Sequence, residues 1–155
     1  MGMGKAFKCE NCGESFVTLM GIGEEFPREY QEIVSDIKDG KYGEDFKNIM
    51  LSREGVVVDL EKCLYVCDKC GSGEQNLCFD FYVPKKQEDI EKVSKKGFYV
   101  TPSELKEDYE LILKIEHTCD KCNSEMRKVD YMETVALDCP ECGSKMKEDG
   151  LINWD

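Results

Sequence analysis

Four Cys-x-x-Cys pairs, a stretch of helical periodicity between the first two pairs, and short β-branched or alternating runs that lead into the later ones predict a small, metal-stapled α+β protein. The expected architecture is two four-cysteine modules of short antiparallel strands, the first with a helical hairpin inserted between its half-sites. The pairs are Cys9/Cys12, Cys67/Cys70, Cys119/Cys122 and Cys139/Cys142. Two residues between cysteines let both sulfurs point into one tight turn, and two such turns can close a tetrahedron around one Zn²⁺.

The last two pairs stand 16 residues apart, in the stretch HTCDKCNSEMRKVDYMETVALDCPECG. If they close on each other, Cys119, Cys122, Cys139 and Cys142 form one site, leaving Cys9, Cys12, Cys67 and Cys70 for the other. The alternative joins Cys67/Cys70 to Cys119/Cys122 and leaves the two terminal pairs to meet. Each second cysteine is followed by a residue suited to the left-handed conformation that such a turn demands: Gly13, Gly71, Asn123 and Gly143. A redox Cys-x-x-Cys motif would instead continue into a helix. In both spacing and turn residues the chain resembles the zinc-ribbon class.

Taken in order, the chain has no predicted element before Phe7, which leads into the first turn; Phe16, Val17 and Leu19 follow as a strand. Pro27 opens a helix with Tyr30, Ile33, Val34 and Ile37 at i, i+3, i+4 and i+7, and Asp39-Gly40 ends it. A second helix is expected from Glu44 to about Ser52, with Phe46, Ile49 and Met50 on one face. This insert, about 27–53, occupies much of the 54 residues between Cys12 and Cys67. Val56 to Leu60 and Cys63 to Val66 read as strands, and Leu77 to Val83 as the return strand. These complete a first module over residues 1–83.

Residues 84–97 are almost wholly polar and read as a charged linker or solvated helix. A second module is expected over 98–155. Thr101-Pro102-Ser103-Glu104 has the form of a capping box with Pro at the first helical position. From Tyr109 the chain alternates, with Leu111, Leu113 and Ile115 on one face, although Ile112 breaks the pattern. That strand should enter the Cys119 turn as Cys63–Val66 enters the Cys67 turn. Both turns read Cys-Asp-Lys-Cys, a short internal repeat. Leu151, Ile152 and Trp154 should supply a closing strand.

Hydrophobic residues make up 41% of the 155, but that class includes the ten cysteines, so the apolar core is modest and metal should contribute much of the folding free energy. A structural zinc site contributes on the order of 10 kcal/mol. The formal charge of −12 falls to −16 when two sites, each four thiolates around one Zn²⁺, add −2 apiece. A surface this negative repels phosphate backbones, which disfavours nucleic acid as a partner and favours a basic or neutral protein. No apolar run reaches the length of a secretory signal or a membrane span, so the expectation is a cytoplasmic chain without membrane association. In a reducing compartment its paired cysteines would be ligands rather than disulfides.

Other candidate groups weigh less. Cys63 and Cys78 lack a partner at two-residue spacing and read as small core residues. His117, the single histidine, would sit exposed on the strand entering Cys119. Neither a nucleophile–histidine pair nor a glycine-rich phosphate loop occurs, and a catalytic zinc needs an open coordination position that four cysteine ligands would fill. Asp130 and Glu133 are separated by Tyr131-Met132, unlike the adjacent Asp-Glu with which transcript-cleavage factors act on RNA. The fragments Cys9-x-x-Cys12-Gly13 and Cys139-Pro140-x-Cys142-Gly143 resemble the two halves of rubredoxin, a family of small iron electron carriers, and that resemblance implies iron as the alternative to zinc. The overall expectation is a non-enzymatic protein with two structural zinc ions and a surface for another protein. Redox or metal handling is the alternative, and nucleic-acid binding the third reading.

Overall fold

The computed structural model, which describes residues 2–96 and 100–155, places its first strand where the sequence predicts none. Met1, Gly97 of the expected linker, and residues 98 and 99 of the expected second module lie outside the described residues. In chain order the elements are β1 (Gly2–Cys9), β2 (Ser15–Met20), α1 (Phe26–Lys38), α2 (Glu44–Leu51), β3 (Val57–Val58), β4 (Lys62–Val66) and β5 (Gly73–Leu77). There follow β6 (Phe81–Pro84), α3 (Gln87–Lys96), α4 (Pro102–Asp108), β7 (Tyr109–Leu113), β8 (Arg127–Lys128), β9 (Leu137–Asp138) and β10 (Lys145–Trp154). No helix among the described residues is long and apolar enough to cross a membrane.

The chain divides into two compact units along lines other than those expected. One comprises Met1–Gly23, Glu61–Leu77 and Glu116–Asp155; the other comprises Glu24–Leu60 and Cys78–Ile115. Both units are assembled from segments distant in sequence, whereas the expected modules, 1–83 and 98–155, are each continuous. The supposed return strand from Leu77 to Val83 is two strands of different sheets, β5 and β6, and the chain changes unit at Cys78.

All eight paired cysteines lie in the first unit. Its four-stranded sheet has the order β2-β1-β10-β9, and its three-stranded sheet the order β5-β4-β8. β1 and β10 pair antiparallel along their length, from Gly2 opposite Trp154 to Cys9 opposite Met146, with a bulge between Ala6 and Phe7. Phe7, Leu64, Val66, Val129, Leu137 and Met146 make the core between the strands. Truncating the fully buried Phe7 to Ala would cost about 3–5 kcal/mol. Trp154 donates its indole N–H to the carbonyls of Met3 and Met20, both at 3.2 Å, and packs on Gly2, where no side chain would fit.

The second unit holds the four helices found among the described residues and the sheet β3-β6-β7. Pro in the first turn of α1 lacks only an N–H that would have no helical partner there, Glu29 near the start and Lys38 near the end suit the helix dipole, and Phe26, Tyr30 and Ile37 are buried. The Tyr30 hydroxyl accepts the N–H of Val58 at 3.4 Å, which ties α1 to β3. Phe46 of α2 stacks on Phe81 of β6 with ring centroids 5.7 Å apart. The polar stretch after Pro84 is the helix α3, and Thr101 and Glu104 form the capping box that starts α4. β7 pairs with β6 so that Leu111 opposes Tyr82 and Leu113 opposes Phe81, leaving Ile112 as the extra residue of a bulge. β7 stops at Leu113, so the expected continuous strand into Cys119 is not formed.

Candidate metal centres

The same turn is built four times. In each, the first cysteine's N–H donates to the carbonyl five residues on: Cys9 to Glu14, Cys67 to Ser72, Cys119 to Ser124 and Cys139 to Ser144, at 2.8–2.9 Å. The residue after the second cysteine donates back to the first cysteine's carbonyl at 2.8–2.9 Å in every case. That residue must take a positive φ, and Gly13, Asn123, Gly71 and Gly143 do so at 80°, 58°, 78° and 75°.

The turns associate differently from the first expected pairing. Cys9, Cys12, Cys139 and Cys142 gather in one group, and Cys67, Cys70, Cys119 and Cys122 in the other, with the sulfurs of each group within 4.8 Å of one another. The predicted sets Cys9/Cys12/Cys67/Cys70 and Cys119/Cys122/Cys139/Cys142 do not form. The reason lies in the strands: β1 ends at Cys9 and pairs with β10, which begins just after Cys142, so the two terminal turns arrive at the same place. The alternative pairing, with the terminal turns joined, is the one observed. The helical insert therefore lies between turns of different groups rather than between the half-sites of one.

The donor set fits a tetrahedral metal. In the group of the two terminal turns, the outer group, Cys9–Cys142 and Cys12–Cys139 are both 3.5 Å apart; in the other, the inner group, Cys67–Cys122 are 3.4 Å and Cys70–Cys119 3.5 Å apart. A tetrahedron with Zn–S bonds of about 2.3 Å has sulfurs roughly 3.8 Å apart, whereas a disulfide needs about 2.05 Å. Either group could hold a metal ion, and their arrangement on paired turns is zinc-ribbon-like.

Neighbouring groups shift several of these thiols in opposite directions. In the outer group the Asn11 amide, then Ser144, pulls the Cys142 thiol down to about 6. A backbone hydrogen bond at Glu14 also pulls Cys12 down, but desolvation and the sulfurs of Cys139, Cys142 and Cys9 outweigh it and push that thiol up to about 12. In the inner group the Ser72 hydroxyl brings Cys119 down to about 6, and Ser124 lowers Cys122. Cys67 rises to about 11, where desolvation and the Cys122 sulfur overcome the backbone hydrogen bond at Cys70. Four adjacent thiolates repel one another, and a bound cation removes that repulsion.

The surroundings of the two groups differ. Ser72 is buried, its hydroxyl 3.1 Å from the sulfurs of both Cys70 and Cys119. The Asp138 side chain covers the 67–71 turn, and its N–H donates to Gly71 O at 2.8 Å. Arg127 braces Asp68 at 3.3 Å and holds Glu133 through two bonds of 2.7 and 2.9 Å. Glu133, the second acid of the Asp130/Glu133 pair, is thus an ion-pair partner. Cys63 and Cys78 are both buried, in different units, donating to Glu61 O at 3.7 Å and Asp80 Oδ2 at 3.4 Å. His117 is half-buried and stacks on Tyr65 at 3.9 Å between ring centroids, a contact the expectation of an exposed strand residue missed.

None of the family models, curated proteins or solved structures compared with this chain matches it.

Proposed function

We propose that this is a non-enzymatic protein with two zinc ions, one in each four-cysteine group, whose metals hold the fold while its acidic helical insert meets another protein. The observation that carries the metal reading is that every paired cysteine falls into one of two four-sulfur groups built on the same turn. Zinc is the common, redox-silent choice for four thiolates, and a filled tetrahedron leaves no open position for a substrate. Segment 24–60, with ten acids against five bases, supplies a negative surface suited to a basic or neutral protein.

Native mass spectrometry with elemental analysis, on protein purified without added metal, tests the first part. Two zinc ions per chain are expected; a chain that carries none, with all eight cysteines open to alkylation, would sink it. For the second part, crosslinking in cell extract should capture a specific protein, and that capture should weaken when acids on α1 and α2 are neutralised.

A second reading has one observation in its favour. The two fragments that resemble rubredoxin halves, Cys9–Gly13 and Cys139–Gly143, meet in the outer group, which would then carry iron and transfer electrons. Visible thiolate-to-iron absorption in anaerobically purified protein would support it; a colourless, zinc-loaded sample would remove it.

A further inference from the structure

The two groups share a donor set but differ in what shields the sulfurs. In the outer group Cys12 and Cys142, the second cysteine of each turn, are exposed; in the inner group the equivalent Cys70 and Cys122 are half-buried. A Cβ added to Gly13 or Gly143 would meet no atom within 4 Å among the described residues, so both outer turns are open at their tips. On Gly71 it would come within 2.5 Å of the Asp138 carboxylate carbon. The inner turns are also braced, through Arg127 on Asp68 and through the Asp120 N–H on Glu74 Oε1 at 3.4 Å. Ser72 fills the space between Cys70 and Cys119, and a hydroxyl donated to a thiolate weakens it as a nucleophile. The outer group's Asn11 reaches Cys142 at 3.4 Å from an exposed position, and Ser144 also bonds that sulfur.

We propose that the Cys9/Cys12/Cys139/Cys142 centre is an oxidisable site at which a hydroperoxide forms a disulfide and expels the metal, while the Cys67/Cys70/Cys119/Cys122 centre stays loaded. This rests on reading both groups as zinc sites. Metal-bound thiolates remain nucleophilic, and oxidation follows thiolate character and access. The Cys12 thiolate attacks the peroxide, the O–O bond breaks, and sulfenic acid forms at sulfur while the leaving alkoxide or hydroxide takes a proton. Cys139, 3.5 Å away, then attacks that sulfur; the S–S bond forms, the S–O bond breaks, and the departing hydroxide leaves as water. Cys142 and Cys9, also 3.5 Å apart, offer the same route. Two thiolates, one hydroperoxide and two protons thus give one disulfide, one alcohol or water from the peroxide's far side, and one further water. The zinc ion loses two ligands without changing its oxidation state.

The test uses the whole chain loaded with two zinc ions and treated with hydrogen peroxide. Released zinc is followed with a colorimetric chelator, and disulfides are mapped by mass spectrometry of alkylated, unreduced peptides. Zinc should leave in two phases, the first ending at one ion per chain and faster than the second by about tenfold or more, as sulfur access dictates. The first disulfide should join members of Cys9, Cys12, Cys139 and Cys142, with the inner four cysteines still protected. Equal release rates, or a first disulfide among the inner cysteines, would overturn the proposal while leaving the two-zinc reading intact. Failure to load two zinc ions before peroxide is added would overturn both.

Discussion

The Ser72 hydroxyl lies 3.1 Å from the sulfur of Cys119, a residue 47 positions further along the chain. It also touches Cys70 at 3.1 Å, so one buried side chain orients a ligand from each turn of the inner centre. Ser72→Ala should lower the inner centre's metal affinity by roughly 10- to 100-fold, the usual effect of removing a group that orients a ligand. Competition with a chelator of known affinity, read one centre at a time by cysteine protection, measures this. An unchanged inner affinity would show that the hydroxyl merely fills space.

The turn residues give a graded series. Gly13→Ala places a Cβ in open space and should cost about 1–2 kcal/mol for the left-handed backbone alone. Gly71→Ala should cost more, because its Cβ would also strike the Asp138 carboxylate. Asn123→Gly should be near neutral, since the position already has a φ of 58°. Denaturant unfolding of the metal-loaded proteins would rank the three, and a Gly13→Ala variant at least as costly as Gly71→Ala would contradict the packing described.

Lys5 is buried on β1 and bonds the Glu148 carboxylate at 2.7 Å and the Glu133 carbonyl. Lys5→Ala should therefore destabilise by about 3 kcal/mol or more, because it removes one partner of a largely buried ion pair. Replacing both residues with Met should recover much of the loss. Thermal or urea unfolding of the single and double variants would check this, and a double variant no better than Lys5→Ala would argue against the ion-pair account.

Alkaline pH should weaken the second unit. Desolvation, followed by the nearby carboxylates of Glu104, Asp89 and Asp108, pushes the Tyr109 hydroxyl up to about 12, and burial raises Tyr30 further. A phenol whose folded value lies above its unfolded value near 10 gives stability that is intact below about pH 10 and lost as pH rises through the folded value. Phenolate absorbance should accordingly show some tyrosines titrating normally and others only as the helical signal falls. Full titration at ordinary pH with the helices intact would exclude it.

Much of this was legible in the chain because local chemistry decided it. A residue that must turn left-handed was visible at Gly13, Gly71, Asn123 and Gly143, and the Thr101–Glu104 cap and the two helices of the insert followed from spacing that needs no distant partner. Ile112, which breaks the alternation after Tyr109, proved to be a bulge. Pairing was another matter, because it depends on which strands meet. Gly2–Cys9 is rich in glycine and weakly patterned, so its role as β1 was invisible, and with it the route that brings Cys9 to Cys142. Two signals did point there: the repeated Cys-Asp-Lys-Cys turns share the inner centre, and the rubredoxin-like halves share the outer one. Proximity in sequence favours closing Cys119/Cys122 on Cys139/Cys142, whereas likeness between turns favours the closure that forms.

Because one group sits inside the other along the chain, the two closures nest like paired brackets. The inner bracket spans separations of 49 and 55 residues, the outer 127 and 133. The entropic difference is small, about 0.6 kcal/mol for each doubling of loop length. Timing is the larger consequence. A ribosome adds roughly 5–20 residues each second, so both turns of the inner bracket are made about one to four seconds before Cys142. The outer one must wait for Cys142, and until then Cys9 and Cys12 stand as a half-built clamp.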